Sequence, residues 1–362
     1  MSERFIVILA GGKGERFWPQ SRLRRPKQLL PIVGEKPMLL QTYERVAPLV
    51  PRRNVYILTN VEQAAAVRRV CRELPRENVI AEPIGRDSGP AVGLATEVIA
   101  ARNPKAVFAS VHADAAIHDV KSFQRDLRAA LAAAAASPVF VTLGVRPTEP
   151  SSDYGYIQRA GHWKTVNGRE IFRALRFVEK PAPETAQQYV ASGDYFWNTG
   201  MFVWSVRVVR EAFARNAPEL HAGLARIGAA LAAGRGLTRT LAAVYPTLPR
   251  IAVDYALLEK ADNVVVMPAS FDWDDVGGWA AIARHFAPDS AGNVIRGAGV
   301  VEQGSGNIIV SEGGHLTAVL GTEDLVVVHT ADATLVCPRG KAAQLKQLLK
   351  RLAEDPANRR FL

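Results

Sequence analysis

The chain has 362 residues, long enough for a sizeable core and ordinarily for two domains. With 48% hydrophobic and 22% charged residues it has the composition of a globular protein, which excludes a largely disordered chain. The formal charge of +10 suits phosphate-rich ligands, with nucleic acid as the rival, and charge alone does not choose between them.

In chain order, residues 5–10 are a continuous apolar run ending in Gly11-Gly12, the pattern of a strand buried on both faces of a parallel sheet. The run is too short for a signal segment or a membrane span, and nothing later approaches about 20 uninterrupted apolar residues. A helix is expected over 38–46, with Pro37 near its first turn. Strands are expected at 55–58, 79–81, 107–111 and 139–143, alternating with helices at 61–74, 89–102 and 122–136. Residues 129–136 are nearly pure alanine, the best helix former. This alternation predicts a doubly wound α/β structure with ligands at the carboxyl ends of the strands. Residues 153–204 are richer in aromatic and β-type segments, 206–260 turn helical, and 264–266 form another short strand. An acidic, aromatic stretch follows at 270–279. After Pro288 come short β-type pieces punctuated by glycine, up to Cys337, then a helix at 341–353. The two cysteines, Cys71 and Cys337, form no CxxC or Cys/His cluster, which fits a reducing compartment and argues against disulfides or structural zinc. Cytoplasmic location and no membrane partner are therefore expected.

The strongest signal is Leu9-Ala10-Gly11-Gly12-Lys13-Gly14-Glu15-Arg16, followed by Arg25-Pro26-Lys27-Gln28. A glycine-rich loop after a first strand lets backbone N–H groups approach phosphate oxygens. It lacks the Gly-Lys-Ser/Thr of a P-loop and the ribose-binding acid of a dinucleotide fold. Arg16 and Lys27 instead add two cations beside a phosphate-sized loop.

This arrangement resembles the nucleotidyltransferases that activate sugar 1-phosphates, and more narrowly the bacterial mannose-1-phosphate guanylyltransferases (GDP-mannose pyrophosphorylases). Further segments carry the resemblance in order: Glu82-Pro83-Ile84-Gly85-Arg86-Asp87-Ser88-Gly89-Pro90-Ala91, Val111-His112-Ala113-Asp114, Asp153-Tyr154-Gly155-Tyr156-Ile157, Phe177-Val178-Glu179-Lys180-Pro181 and Trp197-Asn198-Thr199-Gly200-Met201-Phe202. Asp272-Trp273-Asp274-Asp275-Val276-Gly277-Gly278-Trp279 and Gly321-Thr322-Glu323-Asp324-Leu325 extend it over essentially the whole chain. The chain departs from the family where His112-Ala113-Asp114-Ala115 replaces Pro-Ala-Asp-His. It also has no histidine cluster after Pro338 of the kind a fused cupin-type isomerase domain would bring, so a monofunctional enzyme is expected.

The resemblance implies an α/β, doubly wound Rossmann-like mixed sheet of the nucleotide-diphospho-sugar transferase type over 1–287. It implies a small left-handed β-helix-like domain with a terminal helix over 288–362, a part that in the family often helps subunits pair, so a homodimer is an expectation. The implied substrates are GTP and mannose 1-phosphate, with no protein nucleophile. Leu9, Ala10, Gly11, Gly12 and Gly14 would hold the nucleotide, with Arg16 on the departing phosphates and Lys27 near the α-phosphate. Asp114 and Asp275 would hold Mg²⁺, a hard cation that uses few protein ligands. Asp272 and Asp274 stand as alternatives in the second loop. Lys180 would meet the sugar phosphate, with Glu179, Asn198 and Gly155 on the sugar. Base selection is expected of residues 82–90, including Glu82, Arg86, Asp87 and Ser88, without fixing which one reads guanine. His112 and His118 read as loop histidines and Trp163, Trp273 and Trp279 as packing. Rival readings are another sugar nucleotide, a catalytically silent sensor, or a nucleic-acid binder. The last is disfavoured because the basic stretches at 22–27 and 346–351 lack interleaved aromatics.

Overall fold

The opening apolar run forms β1 (Arg4–Leu9) in the computed structural model, which describes residues 2–362. Phe5 and Val7 enter one core cluster, while the alternating Ile6 and Ile8 are fully buried on the opposite face. Burial on both faces is why the run shows no polar alternation. Parallel to β1 lie β2 (Val55–Asn60) and β4 (Val107–His112), and β3 (Val79–Glu82) extends the sheet beyond β2. Helices α1 (Met38–Val46), α2 (Ala64–Val70), α3 (Ser88–Arg102) and α4 (Val120–Ala136) alternate with these strands. The second helix is shorter than 61–74. Asn60 accepts a bond from the Gln63 backbone N–H (2.9 Å) through its side chain, so the residues after β2 are spent on a turn.

The chain continues through β5 (Phe140–Val145), β6 (Tyr156–Val166), β7 (Arg169–Val178), α5 (Pro183–Ser192) and β8 (Tyr195–Ser205). Then come α6 (Val206–Asn216), α7 (Pro218–Ala232), α8 (Leu237–Val244), α9 (Val253–Ala256) and β9 (Val264–Pro268). Together they make a nine-stranded sheet in the order β3-β2-β1-β4-β8-β5-β9-β7-β6. β8 runs antiparallel to both β4 and β5, so the sheet is mixed, as the resemblance implied. Leu94, Trp204, Phe213, Leu224 and Tyr245 join Phe5 and Val7 in its main core.

After Pro288, β10 (Val294–Arg296), β12 (Ile308–Ser311) and β14 (Leu325–His329) stack in parallel, and β15 (Thr334–Pro338) closes that sheet antiparallel to β14. A second face pairs β11 (Gly299–Glu302) with β13 (Thr317–Leu320), also in parallel. These are successive coils of a short β-helix. Fully buried Asn307 pins them, donating to Asn293 Oδ1 (3.0 Å) and to the Thr322 carbonyl (2.9 Å) and accepting from the Leu325 N–H (3.0 Å). The terminal helix is α10 (Leu345–Glu354), with a 3₁₀ stretch over Arg339–Gln344 where 341–353 reads as one helix.

The chain divides into two compact units. One comprises the residues up to Gly11 with Thr42–Ala113 and Ile117–Trp273; the other comprises Gly12–Gln41, Asp114–Ala116 and Asp274–Leu362. The reason is packing. Residues 12–41 contribute no strand to the large sheet, and their Phe17, Trp18, Leu30 and Ile32 bury against Trp279, Ile308, Val326 and Leu345. The indole N–H of Trp279 donates to the Trp18 carbonyl (2.8 Å), and Arg296 donates to the carbonyls of Ile32 (2.7 Å) and Pro31 (2.9 Å). Among the described residues no helix is long and apolar enough to cross a membrane.

Candidate functional site

In the second unit the glycine loop and the acidic loop 274–279 meet around Lys27. Lys27 is 5% exposed, and its ammonium donates to Asp114 Oδ2 (3.1 Å) and to the backbone carbonyl of Asp275 (2.6 Å). Gly14, in the left-handed conformation (φ 66°), backs directly onto it: a Cβ there would lie 2.5 Å from the Lys27 backbone N. So Gly14 is needed for the seat of Lys27 as well as for loop shape. Gly14 also accepts from the Ser21 hydroxyl (2.6 Å), and Gln28 ties the loop by donating to the Gly12 carbonyl (3.0 Å). At Gly12 itself a Cβ would meet nothing within 4 Å, so the loop is open there.

Arg16 joins the same cluster, donating to the Gly277 carbonyl (3.4 Å). A Cβ on Gly277 would lie 3.0 Å from Asp275 Oδ2 and 3.6 Å from an Arg16 guanidinium nitrogen. The bare glycine therefore leaves the Asp275 carboxylate and the Arg16 cation as neighbours. Val276, a β-branched residue at φ 47°, holds the turn between them in a strained conformation, a common mark of functional loops. Asp114 through its carboxylate and Asp275 through its backbone both contact one buried cation. Two acids thus border this cluster, with carboxylate oxygens of the kind a hard cation such as Mg²⁺ takes.

Asp274 and Asp272 are engaged elsewhere. Asp274 accepts from Arg284 (2.6 and 2.8 Å), His285 (3.0 Å) and the Val276 N–H (2.7 Å). Burial works to raise its pKa, but the bonds from His285, Arg284 and Val276 outweigh it and hold the carboxyl well below the usual range. In the first unit, Asp272 accepts the backbone N–H groups of His118 (2.8 Å) and Asp119 (2.7 Å) just before α4. Both acids thus do structural work, leaving Asp275 as the acid of that loop beside the cation cluster.

The first unit carries the remaining expected residues. Leu9 accepts the Ala113 N–H (3.0 Å) and Ala10 accepts the Thr59 hydroxyl (3.0 Å), which fixes the end of β1. Glu82, at the end of β3, is 6% exposed and accepts a hydrogen bond from the Tyr245 hydroxyl. Burial pushes its pKa up to about 7, against the lowering effect of that bond. Gly11 lies beside it, since a Cβ there would be 3.5 Å from Glu82 Oε2. Arg86 donates to the Pro246 carbonyl, Asp87 caps α3 by accepting the Ser88 N–H (3.0 Å), and the Ser88 hydroxyl accepts the Val253 N–H (2.9 Å). Residues 86–89 are thereby fastened to residues 246–253.

A second polar cluster surrounds Asn198. Asn198 bonds the Gly155 carbonyl through its backbone N–H (2.7 Å), and a Cβ on Gly155 would lie 2.5 Å from Glu179 Oε2. Lys180, at φ 45°, pairs with Glu179 at 3.3 Å. The expected sugar-side residues Gly155, Glu179, Lys180 and Asn198 therefore come together, joined by Asp254, which accepts from Asn198 Nδ2 (3.2 Å). Asp254 and Tyr245 had no local sequence signal: they lie in a helical stretch and reach their partners only in the fold. His112 packs against Gly200, where a Cβ would lie 2.5 Å from its ring. Trp279 is fully buried against Phe17, and Trp273 packs on Tyr154, both as packing residues.

Residues 6–292 match the nucleotidyl transferase family model, and residues 286–352 match that of the MannoseP isomerase/GMP-like beta-helix domain. The mannose-1-phosphate guanylyltransferase of Escherichia coli strain K12 is 33% identical over 98% of this chain and 74% of that protein. Its Salmonella typhimurium counterpart ManC is likewise 33% identical, over 97% of this chain and 73% of that one. Among solved structures, a Thermus thermophilus protein named as a mannose-1-phosphate geranyltransferase superposes with a TM-score of 0.84 at 34% identity, covering 97% of this chain and 99% of its own.

Proposed function

The chain belongs to the nucleotidyl transferase family, among its mannose-1-phosphate guanylyltransferases, and from that membership we propose that it transfers a guanylyl group from GTP to α-D-mannose 1-phosphate, giving GDP-mannose and pyrophosphate. An oxygen of the sugar phosphate attacks the α-phosphorus, a P–O bond forms, and the bond to the β-phosphate breaks. No protein nucleophile is needed, so catalysis is positioning plus neutralisation of charge.

The observation that carries the division of labour is the Lys27–Asp114–Asp275 cluster with Arg16 at its edge. Lys27, already desolvated and fixed, meets the α-phosphate, where negative charge builds. Arg16 binds the departing phosphates, and the open backbone at Gly12 takes phosphate oxygens. Asp114 and Asp275 would hold Mg²⁺, which when bound neutralises triphosphate oxygens. Lys180 takes the sugar phosphate, while Glu179, Asn198 and the close backbone at Gly155 take sugar hydroxyls. Base selection falls to residues 82–90, where Glu82 lies buried near Gly11. The two cysteines, neither in a disulfide, support work in the reducing cytoplasm.

The test is pyrophosphate release measured across four nucleoside triphosphates and several sugar 1-phosphates. GTP with mannose 1-phosphate is expected to give the highest kcat/KM. Preference for UTP or dTTP would overturn the guanylyl assignment. Preference for glucose 1-phosphate would overturn the sugar.

A further inference from the structure

We propose that Asp254 is a positioning residue that sets the sugar preference by fixing the orientation of the Asn198 amide. The proposal rests on the sugar-side reading of the Asn198 cluster.

An asparagine amide is two-faced, presenting one acceptor oxygen and a nitrogen with two donors, and it selects hydroxyls only if its neighbours decide which way round it sits. Here two neighbours decide. The Gly200 N–H donates to Asn198 Oδ1 (3.1 Å), and Asn198 Nδ2 donates to Asp254 Oδ1 (3.2 Å). A backbone donor on one side and a carboxylate on the other leave one orientation, with the second N–H of Nδ2 available to a ligand. Gly200 holds that donor in place through its left-handed backbone (φ 69°), and the Asn198 backbone is itself pinned to the Gly155 carbonyl. Asp254 in turn sits on the short helix α9, whose first residue, Val253, is anchored by the Ser88 hydroxyl (2.9 Å).

Glu179 adds the second half of the argument. Burial first, and then the charge of Glu179, hold the Asp254 carboxyl up at about 6. Two carboxyl groups thus share a small, partly dried space with an amide between their roles, one accepting from the amide and the other next to Gly155 and Lys180. Such a set reads the hydroxyl pattern of a hexose, since a buried polar group left unpaired by the wrong epimer penalises that epimer. No role in the transfer of the guanylyl group follows from this arrangement, because Asp254 acts through Asn198.

The experiment compares mannose 1-phosphate with glucose 1-phosphate at saturating GTP, using the full chain, wild type and the variants Asp254→Ala, Asp254→Asn and Asp254→Glu. Expected for Asp254→Ala is a loss of the mannose/glucose kcat/KM ratio of about ten-fold, the worth of roughly one hydrogen bond. It should appear as a raised KM for mannose 1-phosphate, with KM for GTP unchanged. Asp254→Asn, nearly isosteric, keeps an amide oxygen that can accept from Asn198 Nδ2 and should retain most of the ratio while melting like wild type. Asp254→Glu keeps an acceptor and should recover part of the preference. An unchanged ratio in Asp254→Ala, or KM values for GTP and sugar phosphate rising together, would overturn the proposal. A wild-type enzyme that uses neither sugar phosphate would instead overturn the functional reading beneath it.

Discussion

Lys27 and Lys180 carry the same charge and both are assigned to phosphate, yet the chain holds them in opposite ways. Lys27 is buried and bonded to a carboxylate and a backbone carbonyl, with a glycine backing it. Lys180 has a side chain 63% exposed, one loose carboxylate partner and a backbone in the left-handed region. A preorganised cation has met its desolvation and ordering costs during folding and acts at full strength when charge develops in the transition state. An exposed cation adapts to its ligand but spends binding energy on ordering, so it contributes more to capture than to turnover. The difference teaches that residue type alone does not assign a role; the quality of the seat does.

The sharpest way to break the comparison is to remove the seated cation. Lys27→Met is expected to lower kcat by about 10²–10³-fold. It should also lower the melting temperature, because Asp114 loses its bond to the ammonium. Chelation should have a matching effect: excess EDTA should abolish turnover and added Mg²⁺ restore it. Asp275→Asn should cost about 10²-fold in kcat. Full activity in EDTA would remove the metal from the phosphate side altogether.

Lys180→Ala should leave the melting temperature nearly unchanged and act on KM for mannose 1-phosphate, raising it about ten-fold or more with KM for GTP unaffected. Lys180→Gly sharpens this. It should show the same KM effect but melt higher than Lys180→Ala, since glycine relieves a left-handed conformation worth about 1 kcal/mol. Equal melting of the two would mean that the φ of 45° carries no cost.

Glu82 tests the first unit through stability. Its carboxyl is held at about 7 by burial, above the 4.5 of an ordinary glutamate. A raised folded pKa means that the protonated folded form is favoured, so the stability this group contributes is fully present below pH 4.5 and is lost as pH rises through 7. Glu82→Gln should therefore melt above wild type at pH 8 and converge with it near pH 4.5, by roughly the linkage of one shifted carboxyl. A constant offset across pH would show that Glu82 does not titrate in this window. The smallest effect is expected from Gly155→Ala. Its Cβ would press on the far end of the Glu179 side chain, so thermal melting should barely move while KM for the sugar phosphate rises about three-fold, roughly the worth of a weakened hydrogen bond.

Much of this was legible in the sequence where local rules apply. Uninterrupted apolar runs marked the strands at 5–10 and 55–58, because a strand covered on both faces tolerates no polar alternation. Glycines marked the loop at Gly11, Gly12 and Gly14, and the family resemblance offered Arg16, Lys27, Asp114, Glu179, Lys180 and Asp275 as candidates, which the fold gathers into two clusters. The tertiary structure decided what no local pattern encodes. It put residues 12–41 in one core with the C-terminal coils, because Phe17, Trp18 and Leu30 find their apolar surface there. It engaged Asp274 with Arg284 and His285 and Asp272 with the start of α4, so two of three neighbouring acids became structural. And it brought Tyr245 to Glu82 across 163 residues and Asp254 to Asn198 across 56. Buried polar groups must find partners wherever the fold supplies them, and sequence distance places no limit on where that is.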